Sequence, residues 1–178
     1  MALLRFRKTG EEIKNNQEIG EFLNTLGVLF ETWDSEKLPA TLKNKFVLTD
    51  EEKEQVLLTY QEEIADLAQR RGYVQWDLVA LSDATLGIEE LLEKFKSIHT
   101  HSEDEVRAIV GGHGTFVIKG TEETGYFDIE LDPGEVISVP ENTPHFFTLL
   151  DDRQVLAVRL FINPAGWVAN PYDDPSFA

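Results

Sequence analysis

The chain contains no cysteine, which excludes disulfides, thiolate nucleophiles, zinc ribbons and iron–sulfur clusters. Any metal it holds must be taken by histidine and carboxylate side chains. Histidine is itself scarce, four in 178 residues, so the position of each one is informative. Cations are few as well: 16 Lys and Arg stand against 33 Asp and Glu, a formal net charge of −17. There is no basic stripe to neutralise phosphates, so neither nucleic acid nor an anionic membrane surface is an expected partner. The acidic balance favours solubility, and an anionic substrate would need a locally placed Arg or Lys to overcome it. No apolar run approaches the roughly 18 residues of a membrane span. Met1-Ala2-Leu3-Leu4-Arg5 is too short and too soon charged for a signal peptide, and the expected location is the cytoplasm.

What is present reads as one domain over residues 1–178. Helical periodicity covers 11–26, with Thr9 and Gly10 as caps and Ile13, Phe22, Leu23 and Leu26 as its apolar stripe, and a strand follows over Val28–Trp33. The spacing predicts one long helix over 50–71. Asp50 is its N-cap, Glu51 and Glu52 lie in its first turn, Arg70 and Arg71 in its last, and Gly72 follows as the stop. A strand over Trp76–Leu81 and a short helix over Glu89–Phe95 come next. From Ile98 onward, short β-type runs are separated by turns such as 111–114 and 132–135, the pattern of a sandwich or small barrel. The expected fold is mainly β with flanking helices: N-terminal helices packed on an antiparallel barrel whose strands fall mainly within 75–162, and a coil over 163–178.

The chemistry concentrates in His99-Thr100-His101-Ser102-Glu103-Asp104-Glu105. On a helix, residues two apart point about 200° around the axis and cannot share an ion. On a strand they share one face, about 6 to 7 Å apart, which suits two imidazoles on one metal. A straight strand would carry Glu105 about 20 Å past His99, so the chain must reverse within Ser102–Asp104 for Glu105 to join them. Parity then puts Arg107 on the face of Glu105, the local cation an anionic substrate would require; the alternative is an ordinary ion-paired Arg. The fourth ligand is His145, after a turn stiffened by Pro140 and Pro144, with Phe147 on the same face. His113 lies in a glycine turn and is assigned to structure or solvent. Three imidazoles and one carboxylate suit Fe, Ni, Mn, Co, Zn or Cu, with positions left open for substrate or water.

This pattern resembles the two motifs of the cupins. His99, His101, Glu105 and Gly112 fit the first, with Glu93 where a leading Gly is usual. Gly134, Pro140 and His145 fit the second, with Asn142 in place of the middle Gly and Leu149 in place of the closing Asn. Asn tolerates left-handed backbone, so that exchange is mild. Within the cupins the chain is similar to bacterial acireductone dioxygenases of methionine salvage. The similarity runs through Gly72-Tyr73, Trp76-Asp77, Glu93-Lys94-Phe95, His99 to Arg107, Ile137 to Pro140, Thr143 to His145, Arg159 to Phe161, Asn163-Pro164 and Gly166-Trp167.

The resemblance implies a double-stranded β-helix, or jelly roll, that holds one Fe(II) or Ni(II) per chain and acts as a monomer. It implies as substrates O2 and the small molecule acireductone, 1,2-dihydroxy-3-keto-5-methylthiopentene. The Fe(II) form would give 4-methylthio-2-oxobutanoate and formate, and the Ni(II) form 3-methylthiopropanoate, formate and carbon monoxide. Arg107 would stabilise the substrate dianion as a catalytic residue. Asp104 is grouped with it because it can orient the metal loop. Phe95, Phe147 and Trp167 are candidates for the substrate pocket or for the core, and Arg159 for the site or for a structural ion pair. Ile98 precedes the first ligand where some relatives carry a carboxylate. Two rival readings stand: another metal-dependent cupin enzyme, such as a different dioxygenase or a sugar isomerase, and a non-catalytic cupin binding module.

Overall fold

The computed structural model describes residues 2–163 and 168–177. In chain order the elements are β1 (Leu3–Phe6), β2 (Glu12–Ile13), α1 (Asn16–Thr25), β3 (Leu29–Thr32), α2 (Asp50–Thr59), α3 (Gln61–Arg71), β4 (Gln75–Leu81), α4 (Ile88–Phe95), β5 (His99–Thr100), β6 (Glu105–Gly112), β7 (Gly114–Lys119), β8 (Tyr126–Leu131), β9 (Glu135–Val139), β10 (His145–Thr148), β11 (Val155–Phe161) and β12 (Asn170–Pro171). Among the described residues no helix is long and apolar enough to cross a membrane.

The strands form two antiparallel sheets. One has the order β12-β5-β10-β7-β8-β1-β2 and the other β3-β9-β6-β11-β4. The mainly-β reading therefore holds, with the jelly roll drawn as two facing sheets. Period-two alternation explains how they pack. From β6, Ile109 joins Ile137, Val139 and Ala157 in a core shared with Phe116, Ile118, Phe127 and Ile129 of the opposing sheet. The intervening Val106, Ala108 and Val110 point the other way, onto Tyr60, Ile64 and Leu67 of the helical layer. One strand thus serves two cores, and its inward face continues toward its N-terminal end as Arg107 and Glu105.

Several boundaries differ from the sequence expectation. The helix expected over 50–71 is two helices that meet at Tyr60. Tyr60 is fully buried, its ring stacks on Trp33 at 5.5 Å and its hydroxyl donates to the Asp34 carbonyl at 3.1 Å, so tertiary packing overrides helical continuity. The N-cap is Thr49, one residue earlier than expected, in a capping box with Glu52. The first helix begins at Asn16 with Asn15 as its cap, because Glu12–Ile13 pairs with β1 instead. The tail expected to be coil contributes β12, paired with β5.

Gly112 shows why one turn requires glycine. Its φ is +66°, and a Cβ there would lie 2.1 Å from the Gln154 carbonyl oxygen. Glu135 is the buried tie of the N-terminal region. It accepts from the Ala2 amide at 3.0 Å, Asn16 Nδ2 at 3.0 Å and the Asp132 amide at 2.7 Å. Glu135→Ala strands three donors together and is expected to lower stability by about 3 kcal/mol, read by chemical denaturation. A loss under about 1 kcal/mol would mean that water replaces the carboxylate at all three.

Candidate metal centre

The local fold brings His99, His101, Glu105 and His145 together. β5 presents His99, the chain reverses through Ser102-Glu103-Asp104, and β6 opens at Glu105. His145 begins β10 and pairs directly with His99 across the β10–β5 ladder. One ligand atom from each of the four lies within 4.8 Å of every other. The ring centroids of His99, His101 and His145 are 4.7 to 5.4 Å apart. Two turns fix this convergence: the Asn142 amide donates to the His101 carbonyl at 2.8 Å, and Asn142 takes φ +60°, the left-handed geometry expected of the residue replacing the motif glycine.

The donor set fits a divalent metal. Each ligating histidine offers Nδ1 to a backbone carbonyl: His99 to Ser97 at 2.7 Å, His101 to Val168 at 3.1 Å and His145 to Thr143 at 2.7 Å. Donation from Nδ1–H sets the tautomer and, in His99 and His101, leaves the Nε2 lone pair facing the cluster. Burial pushes His99 and His101 below the ordinary imidazole range, which favours the neutral, ligating form. His145 Nε2 contacts Glu105 Oε2. Burial alone would lower His145 and raise Glu105, but their mutual attraction dominates: His145 is held above its ordinary value and Glu105 below the usual carboxylate range, with Arg107 adding to the latter. The carboxylate is thus ionised in a dry setting. Sulfur-free nitrogen and oxygen donors of this kind suit first-row divalent ions.

A cavity of about 420 Å³ opens beside the four, lined by Lys94, Phe95, Arg107, Phe147, Arg159, Val168 and Ala169 as well as His99, His101 and Glu105. Arg107 is buried and donates to Glu105 Oε1 at 3.2 Å, while its guanidinium carbon lies 4.8 Å from the Phe147 ring centroid. Burial pulls this guanidinium below its ordinary value and Glu105 opposes that pull. Phe147 occupies the space that Gly114 leaves: a Cβ on Gly114 would meet the ring at 2.5 Å. Arg159 faces Arg107 across one ladder and Asp77 across the other, and it forms a two-point pair with Asp77 at 2.8 and 2.5 Å. It is therefore both ion-paired and part of the pocket wall.

Asp104 does not line the cavity. It accepts from Arg71 at 2.9 Å, Tyr73 at 3.4 Å and the Glu141 amide at 3.3 Å, so it ties the ligand loop to the end of α3 and to the turn before His145. Trp167 lies outside the described residues. His113 sits at the far end of β6 between Asp132 at 2.8 Å and Asp152 at 3.3 Å, away from the other three histidines. Lys94, Val168 and Ala169 were not singled out from the sequence. Lys94 was legible in principle as the neighbour of Phe95 in the last turn of α4. Val168 and Ala169 are brought to the site beside β12, and Asn170-Pro171 does not read as a strand.

Comparison with known proteins agrees with this geometry. A family model described as the ARD/ARD' family matches residues 4–169. An acireductone dioxygenase of Geobacillus thermodenitrificans is 62% identical over 174 residues, covering 98% of this chain and 97% of its own. One from Bacillus cytotoxicus is 52% identical, covering 94% and 98%. A solved acireductone dioxygenase from Bacillus anthracis, with a cadmium ion in its active centre, is 47% identical with a TM-score of 0.91, covering 95% of this chain and 97% of that one. Motif, fold and full-length identity converge, and the chain belongs to the ARD/ARD' family of acireductone dioxygenases.

Proposed function

We propose that the chain cleaves acireductone, 1,2-dihydroxy-3-keto-5-methylthiopentene, with O2, using one Fe(II) or Ni(II) held by His99, His101, Glu105 and His145. The observation that carries this reading is the convergence of three oriented imidazoles and one ionised carboxylate beside a cavity walled by cations and aromatic rings, in a chain 62% identical to an acireductone dioxygenase over 98% of its length. When bound, the metal supplies a Lewis acid and a template for adjacent substrate oxygens.

The protein's own groups supply the rest. Lys94, Arg107 and Arg159 give the cavity wall a cationic character that the chain as a whole, at −17, does not have. Arg107 offers rigid N–H donors to the developing negative charge of the ene-diol. It is already fixed by Glu105 and Phe147, so little reorganisation accompanies the reaction. Asp77 holds Arg159 at the wall. Phe95 and Phe147 furnish the apolar surface suited to a methylthio tail and keep water from the reacting carbons.

The test is anaerobic reconstitution of metal-free protein with Fe(II) or Ni(II), followed by acireductone and O2. The expected products are 4-methylthio-2-oxobutanoate and formate with iron, and 3-methylthiopropanoate, formate and carbon monoxide with nickel. If both samples hold stoichiometric metal and neither exceeds spontaneous oxidation, the substrate assignment fails and the metal centre stands.

A further inference from the structure

The C-terminal segment Val168–Phe177 is fastened to the edge and outer face of the sheet whose inner face carries His99 and His145. Its first contact is with a ligand itself, since the Val168 carbonyl accepts from His101 Nδ1 at 3.1 Å. The Val168 side chain is 61% exposed, so its own burial does not hold that carbonyl in place. β12 follows, pairing Asn170 with Thr100 and Pro171 with His99, and the Tyr172 amide donates to the Ile98 carbonyl at 3.1 Å. Both residues of β12 are exposed. A ladder of two residues on each side is too short to be stable alone. Among the described residues, stronger anchors for β12, and through it for His99 and His101, lie further along the chain.

Two anchors do lie there. The Asp174 carboxylate accepts from Lys119 Nζ at 2.9 Å and from the Tyr126 hydroxyl at 2.8 Å. The Phe177 ring packs edge-on against Tyr126 at 4.9 Å and Phe146 at 5.7 Å, with the Arg7 guanidinium carbon 5.0 Å from its centroid. Val117, Tyr126 and Phe146 form a small core of their own, closed by Ile98 and Phe177. Ile98 immediately precedes His99, and Phe146 immediately follows His145. Strand alternation turns these neighbours outward where His99 and His145 turn inward, so the same aromatic cluster grips the backs of β5 and β10.

We propose that Val168–Phe177 is an external clasp for the metal centre, with Asp174 and Phe177 as positioning residues that hold the Val168 carbonyl against His101 and β12 against His99. The clasp rests on the metal-site reading above and on no choice of substrate. Groups that orient a metal-bound histidine are worth about 10- to 100-fold in metal affinity. Loosening the anchors is expected to appear in metal retention before it appears in the fold.

The experiment loads full-length protein with Ni(II), adds excess chelator and follows metal release, for the parent and for Asp174→Ala, Phe177→Ala and Phe177→Tyr. The expected result is release at least about tenfold faster in both alanine variants, a changed Ni(II) ligand-field spectrum, and recovery of parental behaviour in Phe177→Tyr, which keeps the ring. The thermal midpoint of the metal-free protein is the control, since a purely structural tail would lower that midpoint and leave release unchanged. Release within about twofold of the parent in both alanine variants overturns the clasp. If Phe177→Ala does not fold, Asp174→Ala decides alone. Failure to turn over acireductone would leave this measurement fully interpretable, whereas a parent that retains no Ni(II) would overturn the metal site and the clasp together.

Discussion

His145→Ala protein is expected to lose tight metal binding, with affinity for Ni(II) falling by more than about 100-fold, the upper end of what losing a group that merely orients a ligand costs. His145 is 1% exposed, its ring is oriented by the Thr143 carbonyl and its Nε2 contacts Glu105. Removing it deletes one donor and also strips Glu105 of its main opposite charge, leaving a buried carboxylate dependent on Arg107 and His101. Such a carboxylate either draws in water or rises toward protonation, and each outcome weakens it as a ligand. Equilibrium dialysis with elemental analysis reads the effect. His113→Ala is the matched control, because His113 is held by Asp132 and Asp152 away from the cluster and its loss should leave metal content intact. Stoichiometric metal in His145→Ala would overturn the ligand assignment.

Arg107→Ala should separate metal binding from turnover. All four ligands remain, so metal stoichiometry is expected to persist. The kcat is expected to fall by about 10²- to 10³-fold, the usual consequence of removing a preorganised donor to developing negative charge. Arg107→Lys retains the charge but not the planar fork of donors, and should recover only part of the loss. Metal analysis on the same samples used for steady-state kinetics makes the comparison direct. Near-parental kcat in a fully metallated Arg107→Ala enzyme would remove Arg107 from the chemistry and leave it as a partner for Glu105 and Phe147.

Most of the metal centre was legible because its logic is local. The period of two in His99-Thr100-His101 is informative only on a strand, and the distance to Glu105 then demands a reversal at Ser102–Asp104, where the structure places it. The parity of β6 likewise puts Arg107 beside Glu105, as a hydrogen bond between them shows. What escaped was decided by contacts between distant parts of the chain. No local signal breaks the helix at Tyr60; the break comes from Trp33 and Asp34, more than twenty residues earlier. The partnership of Arg159 with Asp77 depends on which strands become neighbours. The return of Val168 and Asn170 to the metal site rests on ladder pairing by a segment whose proline argues against a strand. Sequence periodicity reports on one element at a time, and these features belong to pairs.

The double allegiance of β6 limits how this enzyme can change. Val106, Ala108 and Val110 belong to the helical layer, and Glu105, Arg107 and Ile109 to the interior. A deletion or insertion of one residue between positions 105 and 109 would exchange the two sets across part of the strand. Apolar side chains would then face the metal while a carboxylate and a guanidinium were driven into the layer beneath α3. Selectivity and stability share one reading frame in this strand, and the 101–104 reversal and the 140–144 turn are held as closely because each sets a metal ligand, so length variation belongs to the approach to α4. A library designed to alter substrate preference should vary length only there and restrict β6 to point substitutions.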